Sequence, residues 1–144
     1  MTSLPAQEVA VRAAEAMWAG DAASQGLGME VLDVAPGRAT LSMTVRADMV
    51  NGHAIGHGGF TFTLADSAFA FACNSYNRST VAASCEIRFL APTRLGDVLV
   101  ASAVERSREG RRGVYDVTVR SGEVLVAELV GHSQEIRGTV FDEG

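Results

Sequence analysis

The chemistry within reach of this 144-residue chain is concentrated between Asn51 and Asn74, which reads NGHAIGHGGFTFTLADSAFAFACN. Glycines at 52, 56, 58 and 59 punctuate its start. A long run of Phe, Leu, Ala and Thr follows, too long for a typical strand and free of proline, so the stretch reads as a loop feeding a helix. Asp66 is its single charge. A carboxylate inside so apolar a helix loses its hydration, and it must be paired, protonated or turned toward a cleft.

The helix start is the second reactive feature. Small residues at Gly58 and Gly59 leave the first backbone N–H groups open at the positive end of the helix dipole, where an oxyanion or phosphate can sit. At about 1.5 Å per residue, Asp66 lies roughly 12 Å beyond Gly58, too far for both to reach one reacting atom within a chain. If the two share a site, two copies of the helix must meet, antiparallel across a dimer axis. Asn51 opens the loop in an Asn-Gly pair that is also a strong turn signal. His57 stands before the paired glycines, as a cap or as a substrate contact.

Composition narrows the field. A chain of this length suits one domain, residues 1–144, able to bury roughly 70% of its unfolded surface. A formal net charge of −5 gives no general attraction for nucleic acid or an anionic membrane. All twelve basic residues are arginines, which excludes Schiff-base lysine chemistry and a P-loop lysine. No stretch reaches membrane-spanning length without charge, so a cytoplasmic protein is expected. Cys73 and Cys85 form no CxxC pair and read as small buried hydrophobes. His53 and His57 have an HxxxH spacing, but the glycines around them argue for a loop, and no metal site is expected.

These residues need a scaffold. Pro5 to Ala19 carries apolar positions at Val9, Ala13, Ala16 and Met17 among charges, an amphipathic helix within an N-terminal segment 1–22. A short polar segment leads to Gly28. Met29 to Gly37 and Arg38 to Val45 read as a hairpin turning at Ala35-Pro36-Gly37. The central helix is expected over 58–75, apolar on every face and so buried on most sides. Thr80 to Leu90, Asp97 to Glu105, Gly113 to Arg120 and Glu123 to Ser133 follow as strands, with turns at Pro92 to Gly96, Arg106 to Arg112 and Ser121-Gly122. The order α-β-β-α-β-β-β-β gives an α+β fold, an antiparallel sheet with the helix across its concave face and a frayed tail from Phe141.

Order and motifs together resemble the hotdog-fold acyl-CoA thioesterases, most closely the PaaI-type enzymes of phenylacetate degradation. NGHxxxHGG at Asn51 to Gly59, LADSAFAFACN from Leu64, IRFLAPTRLGD from Ile87, GVYDV from Gly113 and GHSQEIRGT from Gly131 carry the likeness. It implies a long antiparallel sheet wrapped around the central helix. It also implies an oxyanion-binding amide near Gly58 or Gly59, Asp66 of the partner subunit as the acidic residue that drives hydrolysis, as nucleophile or general base, Asn51 holding the carbonyl and His57 beside it. No cofactor is implied, since coenzyme A is part of the substrate. Arg88, Arg94 and Arg111 are candidates for its phosphates; the hairpin-tip arginines Arg106, Arg108, Arg111 and Arg112 read as a solvated cluster of which one or more could meet those phosphates.

The implied activity is hydrolysis of phenylacetyl-CoA or a hydroxylated phenylacetyl-CoA by a homodimer with shared sites, paired into a homotetramer. Medium-chain or hydroxybenzoyl thioesters are the alternative substrates. A hotdog hydratase, needing His57 and Asp66 together, and a non-catalytic acyl-CoA sensor are the alternative functions.

Overall fold

A computed structural model describes residues 3–144. Helix α1, Ala6–Gly20, starts directly after Pro5, whose fixed φ suits a helix entrance, and Glu8 in its first turn pairs with Arg12 at 2.7 Å. Its buried stripe is Ala10, Ala13 and Ala14, with Met17 and Trp18 half-buried. The expected stripe is therefore displaced, and Ala16 points to solvent. Residues 1 and 2 of the expected N-terminal segment lie outside the described residues.

The polar segment after α1 is itself helical. Asp21 accepts the Ser24 N–H and the Ser24 hydroxyl at 3.0 and 2.6 Å, and this cap starts α2, Ala22–Gly26. Strands β1, Glu30–Ala35, and β2, Arg38–Thr44, form the expected hairpin. Its Gly37 has φ +71, and a Cβ there would stand 2.8 Å from the Tyr76 hydroxyl, so only glycine fits. A 3-10 turn, Ala47–Met49, then leads to the central loop and to α3, Gly58–Cys73, two residues shorter than 58–75. Asn74 ends α3, bonding the Ala70 carbonyl and both backbone groups of Thr80.

Strands β3, Thr80–Phe89, β4, Val98–Glu109, β5, Arg112–Ser121, and β6, Val124–Glu135, complete a six-stranded antiparallel sheet ordered β1-β2-β4-β5-β6-β3. The Pro92 to Gly96 segment is thus no hairpin turn. It carries the chain from β3 at one edge to β4 in the middle, passing the start of α3. The Arg106 to Arg112 segment shrinks to a turn at Gly110 and Arg111, because Arg106 and Arg108 belong to β4 and Arg112 to β5.

Alternate residues of the inner face, including Leu41, Met43, Leu99, Ala101, Val117, Val119 and Leu129, pack beneath α3. Gly131 gives the Phe69 ring its place, since a Cβ there would lie 2.6 Å from it. The helix buries Thr61, Leu64, Ala65, Ala68, Phe69 and Phe71 against this face. Burial on most sides holds, since Gly59 alone of the α3 residues is exposed, but it is not complete on every face. Thr63, Asp66 and Ala70 form a half-open stripe on the other side. β3 beside it is a ten-residue edge strand exposed along most of its length.

The tail is tied rather than frayed. Asn77, 2% exposed and at φ +61, accepts the Val140 and Phe141 N–H groups and donates to the Phe141 carbonyl. Cys73 is buried and Cys85 half-buried, both free. No described helix is long and apolar enough to cross a membrane.

Candidate active site

Asn51 builds the loop before α3 with its own side chain. Its Oδ1 accepts the His53 and Ile55 N–H groups at 2.9 and 3.2 Å, while its backbone N–H reaches the Ile55 carbonyl. This leaves the Asn51 amide nitrogen as an unspent donor. The crossover segment fixes the loop from the side, for the Gly56 N–H donates to the Thr93 carbonyl at 2.8 Å and Ile55 bridges to Arg94. Ala54 takes φ +59, a strained conformation for a residue with a Cβ.

His57 is the cap of α3. Its Nδ1 accepts the Gly59 N–H at 3.2 Å, which leaves Nε2 as the unengaged ring nitrogen. The Gly59 amide is thereby occupied within the chain. The Gly58 amide is the free one, at the positive end of a sixteen-residue helix. The Phe89 ring lies against Gly58, where a Cβ would come within 3.2 Å of two ring atoms.

Asp66 sits eight residues farther along, half-buried on the open stripe. Neither Ser67 nor Asn51 gives it a stabilising hydrogen bond. Ser67 bonds the Ser24 hydroxyl at 2.8 Å, and Asn51 is engaged in its own loop. Burial therefore pushes the Asp66 carboxyl above the ordinary carboxylate range. Its charge also adds to the burial that raises the thiols of Cys73, to about 12, and Cys85.

The arginines are dispersed. Arg94 stands next to the site loop through its bridge to Ile55, its own N–H held by Asp97. Arg88 pairs in register with Glu128 on the outer face of β3. Arg111 lies at the opposite end of α3, in a cluster with Arg78, Arg108 and Tyr76. Arg108 stacks 3.6 Å over the Tyr76 ring and Arg106 is paired with Asp116, so those two are engaged rather than free. Among the described residues no group of three His, Cys, Asp or Glu side chains comes together as a metal would need.

Sequence reasoning missed three residues at this site. Phe89, Thr61 and Thr93 line a cavity of about 360 Å³ that opens beside Gly58. Phe89 and Thr93 reach it only because the β3–β4 crossover passes there.

Comparison with known proteins gives concordant matches. The family model described as the thioesterase superfamily matches residues 53–128. The acyl-coenzyme A thioesterase PaaI of Escherichia coli is 45% identical over 106 residues, 74% of this chain and 76% of the relative. The solved structure of the E. coli PaaI protein from the phenylacetic acid degradation operon superposes with a TM-score of 0.92 at 41% identity, covering 94% of this chain and 99% of that one. A mutant of the phenylacetic acid degradation protein PaaI from Thermus thermophilus has a TM-score of 0.76 at 40% identity, covering 78% and 97%.

Proposed function

The chain belongs to the thioesterase superfamily and is a thioesterase of the hotdog fold, and from that premise we propose that it hydrolyses acyl-coenzyme A esters of the aryl-acetyl type. Phenylacetyl-CoA or a hydroxylated phenylacetyl-CoA is the substrate, the products are the free acid and coenzyme A, and the reaction belongs to phenylacetate degradation. The names of the E. coli and T. thermophilus relatives support the substrate class and the pathway.

The observation that carries the mechanism is the separation of two unspent groups on one helix. The free Gly58 amide and the unpaired Asp66 carboxylate stand roughly 12 Å apart along α3, so they complete a site only between two antiparallel copies. A second copy meeting along the open edge of β3 covers both that strand and the half-open stripe of α3. The Gly58 amide then polarises the thioester carbonyl and takes up the charge that develops on its oxygen, an effect worth a few kcal/mol. The free Asn51 nitrogen is a second donor to that oxygen. The partner subunit's Asp66 attacks the carbonyl carbon or removes a proton from the attacking water. His57 holds the helix start in shape, and Arg94 is the arginine best placed for a phosphate of coenzyme A. Two such dimers pair into a homotetramer.

A hydratase would need His57 and Asp66 together; they are nine residues apart, roughly 13 Å along the axis, so that pairing too would have to be made with the partner chain, and Nδ1 of His57 is already engaged by Gly59. The test is thiol release from a panel of aryl-acetyl, benzoyl and linear acyl-CoA esters, wild type beside Asp66→Asn. Turnover of the aryl-acetyl esters that falls by about 10²-fold or more in a folded Asn variant is the expected result. Equal turnover by the two proteins sinks the assignment of Asp66.

A further inference from the structure

Helix α1 and strand β1 leave an apolar groove between them at the edge of the sheet. Val11, Ala14 and Trp18 form one wall and Val31, Leu32 and Val34 the other, around a space of about 550 Å³. The three α1 residues stand at i, i+3 and i+7, so their wall runs roughly 10 Å along the helix. Leu32 falls at the β1 bulge, where it drops out of the pairing with β2 and stands 53% exposed. A leucine so open beside an apolar trough marks a surface suited to covering.

Two carboxylates edge the groove, Glu15 from α1 and Glu30 from β1. Among the described residues neither pairs with an arginine. The imbalance is wider than these two. Residues 1–35 carry five acids, Glu8, Glu15, Asp21, Glu30 and Asp33, against one arginine, Arg12, so −4 of the chain's formal −5 lies in its first quarter. A second copy seated here would bring its own acids to the same place, and like charges oppose that pairing. A basic partner is favoured instead.

The sheet edge also sets how such a partner lies. Gln7 Nε2 already donates to the Val34 carbonyl at 2.8 Å, and the bulge interrupts the free edge of β1, so the edge is poorly suited to adding a strand. A helix laid lengthwise fits the groove, its apolar side chains entering at i, i+3 and i+7 spacing while Lys or Arg reaches Glu15 and Glu30. The dimer seam along β3 lies at the opposite edge of the sheet, so the groove stays open when two copies meet there.

We propose that the groove between α1 and β1 docks a basic amphipathic helix of a partner protein, gripped by Leu32 and Trp18 and oriented by the Glu15 and Glu30 carboxylates. It stands apart from the thioester site. Trp18 packs against Phe71, thirteen residues beyond Gly58 and roughly 20 Å from it along α3.

Trp18 is the single tryptophan of the chain, so its emission reports occupancy of the groove directly. The experiment titrates the full chain with two tryptophan-free synthetic helical peptides of identical leucine spacing, one with lysines on its polar face and one with glutamates. A saturable change in Trp18 emission with the lysine peptide alone is expected. Its affinity should fall about tenfold in the Glu15→Gln/Glu30→Gln double variant and in Leu32→Ser, both checked for folding by circular dichroism. No saturable change with the lysine peptide, an equal response to both peptides, or an affinity that the variants leave unmoved overturns the inference. So does a lower oligomeric state of Leu32→Ser in sedimentation, which would assign the groove to a second copy.

Discussion

Nδ1 of His57 accepts the N–H of Gly59 at 3.2 Å, and this one bond decides which amide at the start of α3 stays free. Loss of the cap frays the first turn. His57→Ala is expected to lower stability by about 1 kcal/mol in denaturant unfolding, whereas His57→Asn, which keeps an oxygen acceptor, restores most of it. Equal loss in both variants would mean that the imidazole is needed for more than capping.

Asp66 has a signed pH signature. Burial raises its carboxyl from the ordinary value of 3.8, so the folded chain holds this proton to higher pH than the unfolded chain. Through that window the native state binds more protons, and stability falls as pH rises, staying lower above it. Asp66→Asn removes the penalty. The variant is expected to melt above wild type near neutral pH and to lose that advantage below about pH 3.8. Melts across the range check it, and a variant less stable at neutral pH would show that the carboxylate finds a partner in the assembled protein.

Gly56 and Gly58 are expected to respond differently to a methyl group. At Gly56 a Cβ meets Thr93 Oγ1 at 1.8 Å, and the loop must move, at a cost of roughly 1–3 kcal/mol. At Gly58 the obstacle is the Phe89 ring at 3.2 Å, and that residue is 55% exposed and able to swing aside. Gly56→Ala should therefore unfold at clearly lower denaturant than Gly58→Ala, and adding Thr93→Ala should recover part of the difference.

Asn77 clamps the tail with its carboxamide while its backbone sits at φ +61. Asn77→Gly keeps the backbone and removes the clamp. Asn77→Ala does both kinds of damage and should be less stable than the glycine variant by about 1 kcal/mol. Hydrogen exchange at Val140 and Phe141 is expected to accelerate in each. Protection that persists would show that other contacts hold the tail.

What the sequence determined by itself was local. The glycine run, the unbroken apolar stretch and the lone Asp66 set a loop, a helix and a charge on it, because chain geometry over a dozen residues depends on those residues alone. Alternating strands and turn residues likewise set an antiparallel α+β fold. If Gly58 and Asp66 serve one site, the count of residues between them already calls for two copies.

Tertiary structure decided the rest. That β3 lies at an edge beside β6, far from β4, follows from pairing across tens of residues, which no local period encodes. The crossover brings Thr93 and Phe89 to Thr61 and Gly58, so the pocket exists only once the sheet is assembled. Which faces of α3 stay open depends on how far a six-stranded sheet wraps around it. The spent Gly59 amide and the tethered tail turn on single side chains, His57 and Asn77, whose partners are chosen by packing and hydrogen-bond geometry rather than by residue type.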